Sequence, residues 1–462
     1  MNKQKTNLIP MISITVLFFM WGFITSLNDV LIPFFKNVYS LSHFEANIVQ
    51  FAFFIAYFIG SIAFFLLSKK SKDPIHLFGY KKTLEIGLYI ASISSLLFAL
   101  SAYYQLGFGV FLISLFTLGL GLTFLQVAAN PFVAVLGSPD SASSRLNLSQ
   151  AFNSLGTTLG PALGGYFVFS LFDLSSKDTT ALVYPYLAIG VLLVLLALFI
   201  NASKIEEPIQ EIESKQAKDS VFNYPFVWLG ALGIFFYVGA EVAIGSNMVA
   251  FLTETTGGLL TEDKASSFLS YYWGGAMIGR FLGAVSLSKI EKAKKIIYML
   301  LLAAISFLLI YIVNYSLHGL TFSQVWLFLV FIGLNFFFFY LGRSRPARSL
   351  AIFSLVNLAL ILISINLNNE FGIWAMLSIG LFNSIMWSNV FTLAIDKLKD
   401  MTAQASSILI MMILGGAILP PLQGWLADLS NIKISFFVPF LSYVYLFFYG
   451  AKGYMIGKSR LN

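Results

Sequence analysis

The sequence predicts an all-α membrane protein built from two parallel-related six-helix bundles, with an extra pair of helices inserted in the second. Three observations carry this prediction. The 462-residue chain is 58% hydrophobic and 11% charged, whereas soluble proteins carry roughly a quarter charged residues, so its surface cannot face water everywhere. Apolar runs recur along the whole length, each near the ~20 residues that cross a ~30 Å hydrocarbon core. A polar-marked pair of helices also occurs twice, at a single offset.

Taken in order, fourteen apolar segments are read at about 11–32, 46–67, 84–104, 108–136, 148–172, 181–200, 224–252, 265–288, 295–314, 323–341, 349–366, 372–396, 403–423 and 434–451. The first opens as "MNKQKTNLIPMISITVLFFM", with the basic head of a signal peptide. Its apolar run is long, lacks a small-x-small cleavage site and is followed by further spans, so it reads as an uncleaved membrane helix. An even number of spans returns both termini to one side. Alternate loops such as "SKKSKDPIHLFGYKK", "SKIEKAKK", "GRSRPAR" and "DKLKD", with the termini, hold 23 of the 28 lysines and arginines. The opposite loops hold only Lys36, Lys177, Lys264 and Lys433, and Arg280 lies inside a span. By the positive-inside rule the termini are cytoplasmic. The net charge of +7 is therefore a topology signal, and nucleic acid is not an expected partner. The charged stretch "NASKIEEPIQEIESKQAKDS" divides the chain into a first bundle (1–200), a cytoplasmic linker (201–223) and a second bundle (224–462).

The repeat supports that division. "GLTFLQVAANPF" at 121–132 meets "GLFNSIMWSNVF" at 380–391 with Gly, Leu, Asn and Phe in register, an offset of 259. The same offset aligns "LGTTLGPALGG" from Leu155 with "LGGAILPPLQG" from Leu414. The first spans align at 217 instead, "FFMWG" from Phe18 with "FFYVG" from Phe235. The two offsets differ by 42 residues, the length of two membrane helices, which places an inserted pair between the second and fourth spans of the second half.

Polar residues inside the spans are the candidate machinery. Asp29 lies about 18 residues into the first span, ~27 Å along a straight helix, and reads either as a site carboxylate or as an interfacial one. Glu241 is deeply enclosed, where an ionised group costs about 2.5–3.5 kcal/mol on insertion scales. A proton, Na⁺ or another cation would relieve that cost, as would pairing with Arg280, which sits near enough to the cytoplasmic end to snorkel outward. Gln126, Gln150, Asn153, Asn247, Asn383 and Asn389 offer donors and acceptors suited to sugar hydroxyls, or to interhelical bonds worth about 0.6 kcal/mol each. Trp387 suits either a sugar's C–H face or ordinary packing. Asn130 has a repeat counterpart in Asn389 and stands beside Pro131, which suggests an architectural role; Gln126 has Ile385 opposite it. No cysteine is present, and His43, His76 and His318 fall in predicted loops without metal-ligand or catalytic spacing, which argues against an enzyme.

The blocks "FFMWGFITSLNDVLIP", "GLTFLQVAANPFV", "RLNLSQAFNSLGTTLGP", "FFYVGAEVAIGS", "YYWGGAMIGRFLG" and "GLFNSIMW" resemble the fucose–galactose–glucose:cation symporter family of the major facilitator superfamily, more its glucose/galactose branch than its fucose branch. The resemblance implies a bacterial inner-membrane importer of a hexose (glucose or galactose, or fucose), with no cofactor beyond a coupling H⁺ or Na⁺. It acts as a monomer whose halves rock in alternating access. It assigns coupling to Asp29, with Asn28 beside it, and leaves Glu241 as a second ion-handling carboxylate; Na⁺ at either acid stays open. Gln126, Gln150, Asn153, Asn247, Asn383 and Trp387 are the expected sugar ligands, and Asn28, Asn130, Pro131, Arg280 and Asn389 the structural or gating residues. Gln126 stands where the fucose branch carries a second carboxylate. "MWSNVF" stands where the family carries Pro–Thr, so the helix kink is expected to be lost. "LAIFSLVNLALILI" matches the family's ninth core helix, which sets the inserted pair at about 293–346. Another solute, an exporter, or a non-transporting sugar receptor are the alternatives.

Overall fold

A computed structural model describes residues 8–68, 74–135, 142–170, 178–203, 223–286, 291–342, 345–396, 398 and 402–458. Most of the expected linker, 204–222, lies outside the described residues. The described chain is helical throughout, as it must be where no water satisfies backbone N–H and C=O groups. The helices are α1 (Leu8–Tyr39), α2 (His43–Ser68), α3 (Pro74–Tyr103), α4 (Phe108–Val135), α5 (Ala142–Gly165), α6 (Val183–Ala202), α7 (Pro225–Thr255), α8 (Glu262–Ser286) and α9 (Lys292–His318). They continue as α10 (Phe322–Gly342), α11 (Pro346–Asn366), α12 (Glu370–Asn383), α13 (Met386–Ile395), α14 (Thr402–Met411), α15 (Gly415–Leu429), α16 (Ile432–Ser435) and α17 (Phe437–Ala451).

Among the described residues, twelve helical stretches are long and apolar enough to cross a bilayer. α5 and α8 are of comparable length and more polar, and they pack against each other, which accounts for their composition. Several ends differ from expectation. α1 runs on through Pro33 to Tyr39, which places Asp29 well inside the helix. α3 begins at Pro74 and bends at Gly79, whose φ of 81° lies in the region glycine favours.

Packing follows one pattern twice. α1 lies along α5 as α7 lies along α15, and α2 packs on α4 as α8 packs on α12. α3 contacts α4 and α6 as α11 contacts α12 and α17. The two sets meet where α2 runs beside α15 and α5 beside α8, with α1 touching α7. Glycine permits the tightest crossings: a Cβ on Gly156 would lie 2.1 Å from the Phe19 carbonyl oxygen, and one on Gly415 only 1.9 Å from that of Phe235. These two glycines are related by the 259-residue offset. Close backbone approach through small residues is how membrane helices associate without a hydrophobic driving force.

α9 and α10 stand outside that pattern. They pack beside α8, α11 and α12 and turn Ile296, Leu300, Ile305, Leu329 and Phe337 outward. One consequence overturns the expected loss of the kink in "MWSNVF". The helix breaks between Asn383 and Met386, with Ile385 at φ −109° and ψ 1°. In an unbroken helix the Leu381 carbonyl would accept the Ile385 N–H. Here it accepts Asn335 Nδ2 of α10 (3.2 Å) and Ser384 Oγ (2.7 Å) instead. Side chains inserted into the ladder bend a helix as effectively as proline.

Helix ends are completed across the two sets as well. α2 begins with a capping box, Glu45 N–H donating to Ser42 Oγ (3.2 Å) and Ser42 N–H to Glu45 Oε2 (2.8 Å). The next free donors, His43 N–H and Phe44 N–H, each find an oxygen of Asp428 at 2.8 Å, from the last turn of α15.

Candidate functional site

Asp29 marks the centre of the junction. It is buried among protein side chains. Its Oδ1 accepts from Gln50 Nε2 (2.9 Å) and Ser246 Oγ (3.2 Å), and its Oδ2 from Trp273 Nε1 (2.9 Å). Gln50 Nε2 also reaches Ser246 Oγ at 2.9 Å. One carboxylate thereby ties α1 and α2 to α7 and α8. Gly245 leaves room for it, since a Cβ there would meet Asp29 Oδ2 at 3.2 Å. Asn28 is buried beside it and reaches Gln50 Oε1 at the long distance of 3.5 Å. Asn247, expected at the sugar, instead exchanges amide hydrogen bonds with Asn47 of α2 (2.9 and 3.3 Å).

Glu241 forms a second group in the second set of helices. Its Oε1 accepts from Tyr237 OH (2.8 Å) and lies 3.8 Å from Arg280 Nη2. Arg280 does not snorkel outward: Nη1 donates to Ser154 Oγ of α5 at 2.6 Å, across the junction. Tyr272 OH donates to the Glu241 backbone carbonyl (2.8 Å) and accepts from Asn383 Nδ2 (3.1 Å). The other end of Asn383 accepts from Tyr443 OH (2.7 Å) and Asn357 Nδ2 (2.9 Å). Asn383 is thus wholly buried with both ends of its amide bonded to protein, so it does not present the amide to a cavity as expected.

The remaining amides are more open. Gln126, Gln150 and Asn153 are partly exposed. Asn153 Nδ2 donates to the Phe18 carbonyl (3.0 Å), and Gln150 Nε2 approaches Asn130 Oδ1 at 3.5 Å. Asn130 Nδ2 donates to the Gln126 carbonyl (3.2 Å), a backbone-supporting bond one turn before Pro131, which α4 passes without ending. Asn389 does not repeat that bond; its Nδ2 is buried and unpaired against a small cavity lined by Gly283, Phe339, Ser349 and Ile385. Trp387 stacks on Phe391 of its own helix, centroids 4.9 Å apart, and remains partly exposed.

Gln50, Asn47, Ser246, Trp273 and Tyr237 were not singled out by sequence reasoning. The first two carry the signal that did single out Gln126, an amide inside an apolar span. Trp273 stands in "YYWGG" and carries no such signal. Among the described residues no group of three or more His, Asp or Glu could hold a metal ion.

Two helical sets joined at the buried Asp29 and by a cross-boundary arginine, with partly open amides between them, make a multi-pass membrane protein with a polar seam between its halves. The chain belongs to the major facilitator superfamily, whose model matches residues 12–343. Within it, the chain is 37% identical to a glucose/galactose transporter of Brucella abortus over 98% of this chain and 96% of that one. It is 36% identical to a putative glucose/galactose transporter of Helicobacter pylori, covering 98% of each, and 27% identical to an L-fucose-proton symporter of Escherichia coli over 97% of this chain and 93% of that one. A crystal structure of the Escherichia coli fucose:proton symporter superposes with a TM-score of 0.62 at 26% identity, covering 97% of this chain and 99% of that one.

Proposed function

We propose that the chain imports a hexose, glucose or galactose by its similarity to transporters of those sugars, in symport with H⁺ by alternating access. The observation that favours H⁺ is the partner set of Asp29: two of the three partners are nitrogens, Gln50 Nε2 and Trp273 Nε1, which do not ligate Na⁺, and the third, Ser246 Oγ, can accept from a protonated carboxyl. Glu241, between a phenol and a guanidinium, is equally unsuited to Na⁺. Asp29 is the coupling carboxylate and Glu241 a charge partner for Arg280. Gln126, Gln150 and Asn153 hold the sugar, while Asn247 and Asn383 serve the helix junctions they occupy.

In this reading all fourteen long helical paths cross the membrane, α5 and α8 included, with both termini cytoplasmic in a bacterial inner membrane. The bundles are 1–200 and 224–462, joined by the linker, and the carrier works as a monomer. α9 and α10 are the inserted pair; their lack of a counterpart in the packing pattern supports this. Vesicle uptake under imposed gradients is the test. Acceleration of glucose or galactose uptake by an inward H⁺ gradient, and not by Na⁺, is expected; acceleration by neither gradient defeats the symport reading. Sugar binding without counterflow would mark a receptor instead.

A further inference from the structure

α9 does more than cover the second bundle. It lies along the seam between the bundles, where Gly274 of α8 sits between Ile310 of α9 and Thr158 of α5. Asn314 Nδ2 donates to Ser270 Oγ of α8 at 2.7 Å. At the end of α9, the His318 side chain is fully enclosed and bridges both bundles. Its Nε2 lies 2.9 Å from the Ala162 carbonyl oxygen, in the last turn of α5. Its Nδ1, which has no other partner, lies 3.0 Å from Asp263 Oδ1 in the first turn of α8, at ion-pair distance though off the line of a good hydrogen bond.

Both ring nitrogens therefore face oxygens that only accept. A neutral imidazole has one N–H and would leave a lone pair against one of them; the imidazolium presents an N–H on each side, bonding the Ala162 carbonyl and pairing by charge with Asp263. The titratable groups facing His318 are Asp263 from α8 and, edge-on at 6.1 Å between ring centroids, Tyr166 just after α5; α5 itself offers the Ala162 carbonyl.

We propose that His318 is a gating residue: its imidazolium, delivered by α9 of the extra pair, latches α5 to α8 and holds the outer face closed. A proton arriving from outside then favours closure in addition to loading the coupling carboxylate. The proposal rests on the orientation given above, which puts this end of α9 on the outer side. His43, the other histidine in these outer contacts, has both Lys36 Nζ (2.7 Å) and Glu254 Oε1 (3.1 Å) beside its Nε2, so it is not set between two acceptors.

Spin labels on cysteines replacing Tyr104 and Leu259, both exposed at the outer ends of the two bundles, report the opening directly, because the chain has no native cysteine. In the parent, the ratio of short- to long-distance populations should fall about fivefold between about pH 5 and about pH 8, roughly one hydrogen bond's worth of coupling to the charged ring. His318→Gln retains a donor for Ala162 without the charge and should lose this response; Asp263→Asn should blunt it. A His318→Gln protein that titrates like the parent overturns the proposal. If that variant does not fold, an unblunted response in Asp263→Asn does the same. The measurement uses no sugar, so its failure leaves the symport reading standing, and failed uptake leaves the latch standing.

Discussion

The crossing of α1 and α5 allows a prediction in which one chemical change has opposite signs at two places. Gly156→Ala puts a methyl 2.1 Å from the Phe19 carbonyl oxygen and 2.8 Å from the Phe23 nitrogen. A carbon–oxygen contact settles near 3.3 Å, so the helices must part by about 1 Å. Both obstructing atoms are backbone, which leaves no rotamer to yield. Overpacking of this kind costs about 1–3 kcal/mol, against ~0.5–1 kcal/mol gained by replacing a helical glycine. The net expectation is a loss of roughly 1–2 kcal/mol. Gly333 in α10 has nothing within 4 Å of its added methyl, so Gly333→Ala should be neutral or stabilising by up to ~1 kcal/mol. Thermal unfolding of the two variants in one detergent reads the difference. Gly156→Ala should also weaken sugar binding, because Asn153 lies one turn away and is anchored to the Phe18 carbonyl across the same crossing. If Gly156→Ala is as stable as Gly333→Ala and binds sugar normally, the close crossing is not what holds these helices.

Other expectations follow from the same contacts. Asp29→Asn should abolish uphill accumulation while sparing sugar counterflow, since the donors around residue 29 remain but no titrating group does; accumulation by the variant would remove Asp29 from the coupling role. Asp428→Ala strips two backbone donors of α2 of their partners and should disfavour the outer-closed state by about 0.5–2 kcal/mol, read as a longer distance between the outer spin labels. The double change Asn335→Leu with Ser384→Ala frees the Leu381 carbonyl for Ile385 and should straighten α12 into α13; uptake rate should fall several-fold with little change in thermal stability. Arg280→Gln should leave Glu241 buried without its cation and reduce expression or uptake more than a change at the lipid-facing Ile305.

Much of the helical layout was legible because a bilayer admits so few solutions. An apolar run of the right length must be a helix, and lysine and arginine distribution orders the loops. The repeat was legible because register survives where backbones cross closely: Gly156 and Gly415 keep their offset because neither site tolerates a side chain. That Glu241 is enclosed was also visible, since ionisable groups in apolar spans need partners, whereas for Asp29 an interfacial place stayed open. Their partners were not. Nothing along the chain says that Trp273 faces Asp29, or that Arg280 turns toward Ser154 instead of water. Asn383 and Gln126 look alike in sequence, each an amide in an apolar span; one is consumed by Tyr272, Tyr443 and Asn357 and the other stays partly open.

The same division explains the helix break after Asn383. Reading the segment by itself, the missing proline implies a straight helix, because proline is the local cause of a kink. The actual cause is Asn335, nearly fifty residues earlier in the chain, competing for one carbonyl. What the sequence by itself determined, then, is what is set by the energy of a residue against lipid or water: the helices, the need of ionisable groups within them for partners, and the doubled architecture. Which polar groups meet was decided only by the tertiary structure, because a hydrogen bond depends on a few ångströms between atoms on different helices, and that spacing is set by how all the helices pack together.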